Sequence, residues 1–259
     1  MPEIKKIMQN KAELINETLN DIMSLENRVS DTLVESMRYT LFSGGKRVRP
    51  VLTLMVTEML AGDEETARKV GAAIELIHTY SLIHDDLPSM DDDDYRRGKL
   101  TNHKVYGSGI AILAGDGLLT YAFKILSSLD INSEKKVRLI DLISDSAGIN
   151  GMVAGQVLDI ESENKELSLD QLKNIHLNKT GALIKSSILA GALCSTVGDK
   201  DLKILSQFGR ELGLLFQIVD DILDVTGDSA QLGKTTGRDI ELNKNTYTKI
   251  MGLKQAQEE

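Results

Sequence analysis

The apolar positions along the chain recur with helical spacing, and no apolar segment keeps a sustained period-two alternation. Short breaks that carry glycine or polar residues, such as Gly44-Gly45 and Gly62-Asp63, separate these segments. The pattern predicts helices at about 30–42, 50–60, 64–86, 109–129, 134–162, 168–197 and 199–226. Because there is no Gly/Ser-rich linker and no internal repeat, we predict one all-α domain, a bundle of long helices over residues 1–259.

Caps and prolines support several of these boundaries. Ser30 and Asp31 provide an N-cap for the helix that ends near Phe42. Pro50 suits the first turn of the next helix. Pro88 disrupts the continuation of the long segment before it, so we expect that helix to end at the aspartates just ahead of the proline.

The composition is that of a globular protein that does not bind bare nucleic acid. Of 259 residues, 41% are hydrophobic and 27% are charged, which is enough for a substantial core. The net charge is −9, whereas neutralising nucleic-acid phosphates requires a basic surface. The one cysteine, Cys194, lies in an apolar run typical of a buried thiol, excludes an internal disulfide and favours a cytoplasmic location.

Neither the N-terminus nor the later apolar runs predict a membrane span. The first residues mix charges with apolar positions and lack the core of a signal peptide. Asp116 and Lys185 interrupt the most apolar later runs, whereas a span needs about twenty mostly uncharged residues. We therefore expect a soluble protein.

A first acidic cluster, HDDLPSMDDDDYRRG at residues 84–98, follows the apolar run IELIHTYSLI. On a straight helix, Asp91 would point about 120° away from Asp85. A turn at the proline frees Asp91 to swing back, so Asp85, Asp86 and Asp91 can share a site. The remaining carboxylates are predicted to face solvent: Asp92, Asp93 and Asp94.

A second acidic cluster, Asp220, Asp221 and Asp224, lies in the apolar segment FQIVDDILDVTGD. On a helix, Asp224 lies about 40° from Asp220 and about 60° from Asp221, so the three carboxylates converge. Like charges this close repel each other, and Mg²⁺ ions that also bind substrate phosphate oxygens would neutralise them. An acidic helix end explains one such cluster, but two clusters that each follow an apolar run favour metal binding.

Basic residues accompany the acidic clusters. GGKRVRP supplies Lys46, Arg47 and Arg49, and RRG supplies Arg96 and Arg97. The arginine fork matches phosphate oxygens, so these residues favour diphosphate binding, although a lone KRxR is more often a surface patch. If the RRG segment is helical, its two arginines diverge by about 100° and could serve two sites.

His78 lies seven residues before Asp85, on nearly the same face of the predicted helix. A histidine in this position is as often a satisfied core residue as a ligand contact. The acidic and basic clusters near His78 in the sequence favour the contact with a ligand.

Taken together, a series of ordered motifs closely resembles the trans-isoprenyl diphosphate synthases, and most closely the bacterial farnesyl diphosphate synthases. The motifs span residues 44–239 and are GGKRVRP, IHTYSLIHDDLPSMDDDDYRRG, AILAGDGLL, GMVAGQVLDIE, NKTGALI, LLFQIVDDILD and LGKTTGRD. The resemblance implies an all-helical fold around a deep central cavity with both aspartate motifs at its mouth, in a homodimer. Relatives usually continue for another helix or two beyond TYTKIMGL, so the resemblance also implies a chain short of the usual C-terminal helices.

The resemblance further implies roles for individual residues. The two clusters would hold about three Mg²⁺ ions. One wall of the site would carry Asp85, Asp86 and Asp91, and the other would carry Asp220, Asp221 and Asp224. Asp221 would support its two neighbours. The allylic diphosphate would contact Arg96, Lys179 and Lys234. Isopentenyl diphosphate would contact Lys46, Arg49, His78 and Arg97. The catalytic residues that line the reacting carbons would be Lys179, Thr180 and Gln217.

The activity implied is Mg²⁺-dependent head-to-tail condensation of isopentenyl diphosphate with dimethylallyl or geranyl diphosphate to give farnesyl diphosphate. Tyr80, about 7.5 Å below Asp85 along the helix, would form the floor for the growing chain, because Ser81 is too small to block it. Three alternatives stay open. They are a geranylgeranyl diphosphate synthase, a non-catalytic subunit of a heteromeric prenyl synthase, and a terpene cyclase, which would not need the GGKRVRP and His78 set.

Overall fold

The computed structural model describes residues 2–26, 28–227 and 245–259, and almost all of its regular structure is helical. The helices before residue 150 are α1 (Pro2–Ile22), α2 (Asp31–Leu41), α3 (Val48–Met59), α4 (Glu64–Asp85), α5 (Asn102–Tyr106), α6 (Ser108–Ser127) and α7 (Ser133–Ala147). Those after it are α8 (Met152–Glu161), α9 (Leu169–His176), α10 (Ala182–Leu193), α11 (Asp199–Thr226), α12 (Tyr247–Met251) and α13 (Leu253–Glu258). The predicted all-α class is confirmed.

Within the described part of the chain, one short antiparallel hairpin interrupts the helices. Strand β1 (Tyr95–Arg96) pairs with β2 (Lys99–Leu100), with Tyr95 opposite Leu100 and Arg96 opposite Lys99. The hairpin lies outside the predicted segments, and so do four helices, namely α1, α5, α12 and α13. In α1, buried Ile15 and Leu19 alternate with many charged positions, which obscures the apolar spacing.

The helices cluster into two compact units. Unit 1 comprises Met1–Asp141 with Ala190–Gly198, and unit 2 comprises Leu142–Leu189 with Asp199–Glu259. The single domain over residues 1–259 therefore stays a prediction.

Helix α4 forms the centre of unit 1 and packs against α1, α2, α3 and α6. Asp63 caps it by accepting hydrogen bonds from the backbone N–H groups of Glu65 and Thr66. Most side chains from Val70 to Ile83 are buried. Because both ends of α4 are fixed in this core, the residues that follow Asp85 start from a rigid position.

Several predicted boundaries are confirmed. The Ser30 hydroxyl accepts a hydrogen bond from Leu33 N–H at the start of α2, and Pro50 lies in the first turn of α3. Helix α11 has the predicted bounds, and Cys194 is buried. Burial, followed by the charge of Asp63, raises the pKa of the Cys194 thiol to about 12, consistent with a structural role.

Two predicted helices are broken. The segment 134–162 divides into α7 and α8 at Gly148–Gly151, where a Cβ on Gly151 would lie 2.1 Å from the backbone oxygen of Ser146. The segment 168–197 contains α9, a π-helical turn at Leu177–Gly181, and α10, which ends at Leu193. Helical periodicity alone does not reveal such local changes in hydrogen bonding.

Helix α6 is, by length and composition, apolar enough to cross a membrane. It packs against α2, α4 and α5, and its Ala111, Ala114 and Leu118 side chains are fully buried. Core helices of soluble proteins have the same length and composition, so this feature is weak evidence for a span. The expected absence of a span stays a prediction.

Candidate functional site

The first aspartate cluster lies in a loop that folds back onto the end of α4. The helix ends at Asp85, with Asp86 as its C-cap. The backbone N–H of Asp91 donates to the backbone oxygen of Asp85 at 2.9 Å, and that of Asp92 donates to Leu87 at 3.1 Å. This turn confirms that Asp91 returns toward the helix end, as the proline predicted.

Asp86 is the buried member of this cluster. Its Oδ1 accepts hydrogen bonds from Nε and Nη2 of Arg96, at 2.7 and 2.6 Å. Burial raises the pKa of Asp86, and Arg96 partly opposes that rise. Burial also disfavours the charge on Arg96, but the nearby carboxylates, Asp86 first, outweigh it and raise the pKa of the guanidinium.

Asp92, Asp93 and Asp94 were predicted to face solvent, and the structure agrees at two of the three positions. Asp92 and Asp94 are exposed, as predicted. Asp93 is half-buried, with Oδ2 3.7 Å from Nη2 of Arg96, and its backbone oxygen accepts a 2.6 Å hydrogen bond from the Thr101 hydroxyl. The ion pair and the Thr101 contact draw Asp93 inward, so its prediction was wrong.

Arg96 and Arg97 lie on the hairpin and not on a helix. Arg96 ends β1, and Arg97 occupies the turn with a left-handed φ of 54°. Their side chains diverge because the chain reverses there. The helical geometry considered for this segment is wrong, but the separation of the two guanidinium groups is observed.

Arg97 contacts the glycine loop that precedes α3. Its Nη1 donates to the backbone oxygen of Gly44. A Cβ on Gly45 would lie 2.7 Å from Arg97 Cζ, and Gly45 also has a φ of +121°, so glycine is required for both reasons. The GG pair of GGKRVRP therefore makes room for an arginine that lies 52 residues later.

Within GGKRVRP the three cations have different environments. Lys46 is exposed, and Arg49 is half-buried with an Nε that makes no hydrogen bond. Burial lowers the pKa of Arg49 to about 10, against the opposing charge of Glu75. Arg47 is buried, and its Nη1 lies 2.8 Å from Oε1 of Glu75, with both side chains at most 3% exposed.

Arg47 is fully engaged within the protein. Besides Glu75, it donates from Nη2 to the backbone oxygen of Leu41 at 2.6 Å and from Nε to Oδ1 of Asn16 at 2.9 Å. These contacts make Arg47 the anchor of the loop. Lys46 and Arg49 are the residues of this loop that the resemblance implies as substrate contacts.

His78 lies within a strongly positive region. Burial first, and then the charges of four arginines, lower its pKa well below the ordinary value. In order of effect, the arginines are Arg49, Arg97, Arg96 and Arg47. His78 is therefore neutral at physiological pH, and unit 1 concentrates arginine charge around it, which suits an anion with two phosphate groups.

Tyr80 and Ser81 lie on α4 below the aspartate loop. Tyr80 is 7% exposed, and its ring makes an edge-to-face contact with His84, with centroids 5.6 Å apart. Burial, and then the charge of Asp85, raise the pKa of the phenol. Ser81 donates to the backbone oxygen of His78 at 2.8 Å, so its short side chain is turned back onto the helix.

In unit 2, Lys179 and Thr180 lie on the π-helical turn Leu177–Gly181. Short π-helical segments are rare and occur frequently at functional sites. Two glycines on neighbouring helices permit the turn. A Cβ on Gly155 would lie 2.1 Å from Lys179 N, and one on Gly213 would lie 2.6 Å from the Cα of Gly181.

Lys179 pairs with a carboxylate that sequence reasoning did not assign. Its Nζ lies 2.6 Å from Oδ2 of Asp159 on α8. The charges of Asp159 and Lys179 also act on His176 at the end of α9. Burial, opposed by Asp159 and reinforced by Lys179, lowers the pKa of His176 to about 4, so its ring is neutral.

The second aspartate cluster does not present three equivalent carboxylates. Asp220 is exposed and Asp224 is half-buried, whereas Asp221 is buried. The Thr180 hydroxyl donates to Oε1 of Gln217 at 3.0 Å, and Nε2 of Gln217 donates to Oδ1 of Asp221 at 3.1 Å. Lys234 lies outside the described residues.

The carboxylates of both clusters fit a hard cation. Among residues 2–26, 28–227 and 245–259, no three His, Cys, Asp or Glu side chains form a metal site by themselves. Mg²⁺ does not need such a cage, because it takes one or two carboxylates with waters and phosphate oxygens. Oδ2 of Asp224 is buried without a hydrogen-bond partner, as a carboxylate oxygen left for a cation would be.

Comparisons with known proteins identify the family of the chain. The polyprenyl synthetase family model matches residues 30–259. The chain belongs to the polyprenyl synthetase family. It is a prenyltransferase with the all-α fold of the trans-prenyl synthases, as the sequence motifs predicted.

Relatives of this family with different products are similarly close to the chain. It is 46% identical to the farnesyl diphosphate synthase of Micrococcus luteus, over 96% of the chain and 85% of that protein. It is 48% identical to the large subunit 1 of the heterodimeric geranylgeranyl pyrophosphate synthase of Arabidopsis thaliana chloroplasts, over 96% of the chain and 68% of that protein. Identity alone therefore does not decide the length of the product.

A solved structure of the family has its ligands in place. The geranyltransferase of Helicobacter pylori, in complex with magnesium and isoprenyl diphosphate, is 36% identical and superposes with a TM-score of 0.86. The similarity covers 97% of the chain and 86% of that structure. Relatives of this prenyltransferase thus bind Mg²⁺ together with an isoprenyl diphosphate.

The structure adds three residues that the motifs did not single out, namely Glu75, Asp159 and Tyr247. Glu75 had a signal, since a lone carboxylate in the apolar run KVGAAIELIHTY requires a buried partner. Asp159 lies inside the motif GMVAGQVLDIE, but the motif does not indicate a pairing with Lys179. Tyr247 donates its backbone N–H to Oδ2 of Asp221 at 2.8 Å, a contact that no side-chain pattern reveals.

Proposed function

We propose that this prenyltransferase condenses isopentenyl diphosphate with dimethylallyl and then geranyl diphosphate, head to tail and with Mg²⁺, to give farnesyl diphosphate. One observation carries the proposal. The charges of four arginines, after burial, lower the pKa of His78 in the same unit as the aspartate loop, and Arg97 donates a hydrogen bond to the glycine loop that carries Lys46 and Arg49. A cation-rich region beside a carboxylate-rich loop suits two diphosphates, one bound through cations of the protein and one bound through metal.

The carboxylates would bind Mg²⁺ in two groups: Asp85, Asp86 and Asp91 in unit 1, and Asp220 and Asp224 in unit 2. When bound, Mg²⁺ supplies Lewis-acid stabilisation of the negative charge that develops on the departing diphosphate. Arg96 contributes positive charge beside the first group, where its ion pair with Asp86 already holds the guanidinium in place. The proposal includes about three Mg²⁺ ions, which is the number that the family resemblance implies.

The isopentenyl diphosphate would bind to Lys46, Arg49, His78 and Arg97. The glycine loop supports this role because its backbone leaves space for the Arg97 guanidinium at Gly45. The buried ion pair between Arg47 and Glu75 anchors the loop to α4. A neutral His78 can donate one hydrogen bond to a phosphate oxygen without adding a titrating charge.

The allylic substrate would also contact Lys179 and Lys234. Thr180 and Gln217 would then present neutral dipoles to the allylic cation, and their 3.0 Å hydrogen bond fixes both groups. Neutral oxygens stabilise a cation electrostatically without capturing it as a strong nucleophile would. The proton lost from the isopentenyl unit is accepted by the departed diphosphate.

The farnesyl product is supported by the position of Tyr80. Its ring is buried on α4, five residues before Asp85, or about 7.5 Å along the helix axis. A ring at that depth would stop the growing chain. A small residue there would favour the geranylgeranyl product that several relatives are named for.

The decisive experiment measures diphosphate release by the purified chain. With isopentenyl diphosphate, geranyl diphosphate and Mg²⁺ together, we expect release at a rate that falls to background when any one of the three is omitted. A terpene cyclase would release diphosphate from the allylic substrate alone. A non-catalytic subunit would release none, and either result contradicts the proposal.

We also propose a cytoplasmic homodimer, on the basis of the family resemblance. Light scattering of the purified chain coupled to size exclusion would give twice the monomer mass of 28.5 kDa. A monomer mass across a hundredfold concentration range would contradict it.

A further inference from the structure

Asp221 is the most enclosed carboxylate of the second aspartate cluster. Its side chain is 2% exposed, and both of its oxygens accept hydrogen bonds from within unit 2. Oδ1 accepts from Nε2 of Gln217 at 3.1 Å, and Oδ2 accepts from the backbone N–H of Tyr247 at 2.8 Å. Asp220, one residue earlier, is exposed.

An ionised carboxylate has no proton to donate, so every hydrogen-bond partner of an ionised Asp221 must be a donor. The amide of Gln217 must turn its NH₂ group toward Asp221, so its oxygen faces the other way, toward Thr180. The Thr180 hydroxyl then has to donate to that oxygen, at the observed 3.0 Å. The chain of contacts from Asp221 to Thr180 thus has one possible direction.

The other oxygen of Asp221 is fixed by the C-terminal segment. Tyr247 is the first residue of α12, so its N–H has no partner inside that helix. The Tyr247 ring is fully buried with Leu172, Ile218 and Ala256, and it stacks on His176 with centroids 5.5 Å apart. Asp221 is therefore held at one oxygen by the Gln217 amide and at the other by the backbone of a packed residue, Tyr247.

We propose that Asp221 is a positioning residue, which orients the Gln217 amide and, through it, the Thr180 hydroxyl, and which does not bind Mg²⁺. This inference rests on the proposed function, because it assigns Thr180 and Gln217 to the reacting carbons. It replaces the metal-binding role that the DDxxD motif suggested for Asp221. Asp220 and Asp224 remain the metal ligands of this cluster.

A donor–acceptor exchange tests the orientation directly. Gln217→Glu places two hydrogen-bond acceptors against each other. Asp221→Asn replaces one of the two accepting oxygens of Asp221 with an NH₂ group, which then faces a donor, either Gln217 or the Tyr247 N–H. Each single variant should lower kcat at least tenfold, about the effect of one lost buried hydrogen bond. In the double variant, the amide at position 221 can donate to the carboxylate at position 217 and still accept from Tyr247, so kcat should recover at least fivefold over the poorer single variant. Failure of this recovery would overturn the proposal.

Metal binding provides a second readout that does not depend on turnover. Mn²⁺ titrated calorimetrically in the presence of inorganic diphosphate should bind Asp221→Asn within twofold of the wild type, whereas Asp220→Asn should weaken binding at least tenfold. Equal weakening by both variants would make Asp221 a ligand and overturn the proposal.

The Tyr247 contact can be tested even if the chain proves inactive. Asp221→Ala should speed hydrogen exchange of the Tyr247 amide by tenfold or more, while amides in the middle of α4 stay unchanged. Unchanged exchange at Tyr247 would contradict the contact. An inactive wild type that shows the expected exchange and metal binding would reject the proposed function but keep the structural role of Asp221.

Discussion

Arg96 forms an ion pair with the buried Asp86 in which Nη2 lies 2.6 Å from Oδ1, whereas Arg97, the next residue, donates to the backbone oxygen of Gly44. One arginine of the RRG sequence thus supports the aspartate loop and the other supports the glycine loop. The reversal of the hairpin at Arg97 is what separates them.

Because of this separation, substitutions of the two arginines should affect different substrates. Arg96→Ala should raise KM for the allylic diphosphate about tenfold or more, and Arg97→Ala should do the same for isopentenyl diphosphate, as expected for a lost charged hydrogen bond. Arg96→Lys, which keeps the charge but loses the fork, should show a smaller effect. Initial rates with each substrate varied in turn give the two KM values, and equal effects of both alanine variants on both substrates would refute the division.

The carboxylates proposed to bind metal should be essential for turnover but not for folding. Asp85→Ala and Asp220→Ala should each lower kcat by about a thousandfold or more, because each removes a ligand of the ions that stabilise the leaving group. Asp220 is exposed and Asp85 half-buried, so the helical circular dichroism should not change.

Asp92→Asn is the matched control for these variants. Asp92 lies in the same loop with its side chain 62% exposed, and asparagine tolerates the φ of 48° at this position. Its kcat should stay within twofold of the wild type. Near-normal turnover of Asp85→Ala in saturating Mg²⁺ would remove the metal assignment.

The sequence was sufficient for those parts of the site that depend on local geometry. The end of α4 at Asp85 and the return of Asp91 follow from Pro88 and from helix geometry. The bounds of α11 follow from an uninterrupted apolar spacing. These features depend on neighbouring residues, which a sequence displays directly.

Other features depend on residues that are distant in sequence. Arg47 meets Glu75 only because α4 packs against the loop before α3, and Asp221 meets Tyr247 across 25 intervening residues. The break at Gly148–Gly151 and the π-helical turn at Leu177–Gly181 reflect close backbone approaches rather than side-chain periodicity. No spacing rule contains that information.

The pair formed by Glu75 and Arg47 yields a prediction about stability. Glu75→Ala leaves the Arg47 guanidinium buried and without its counter-ion, so the free energy of unfolding should fall by about 3–5 kcal/mol. Glu65→Ala, on the same helix, breaks an exposed pair with Lys69 and should cost less than about 1 kcal/mol. Urea unfolding followed by circular dichroism measures both, and similar losses for the two variants would show that the buried pair has no special role.

The position of Tyr80 predicts control of product length. Tyr80→Ala should shift the products from farnesyl toward geranylgeranyl diphosphate and longer chains, because it removes the ring below the aspartate loop. Tyr80→Phe keeps the ring and should leave the product distribution unchanged. Chromatography of the dephosphorylated products provides the comparison, and identical distributions for the alanine variant and the wild type would show that Tyr80 is not the floor.

The most direct test of the account is the identity of the product formed by the unmodified chain. Purified protein is incubated with dimethylallyl diphosphate, an excess of isopentenyl diphosphate and Mg²⁺, and the dephosphorylated products are identified by chromatography and mass. We predict farnesol as the main alcohol, with some geraniol from the geranyl diphosphate intermediate, and neither alcohol after chelation of the metal. The absence of any alcohol longer than the dimethylallyl unit would contradict the prenyl transfer assigned to this chain.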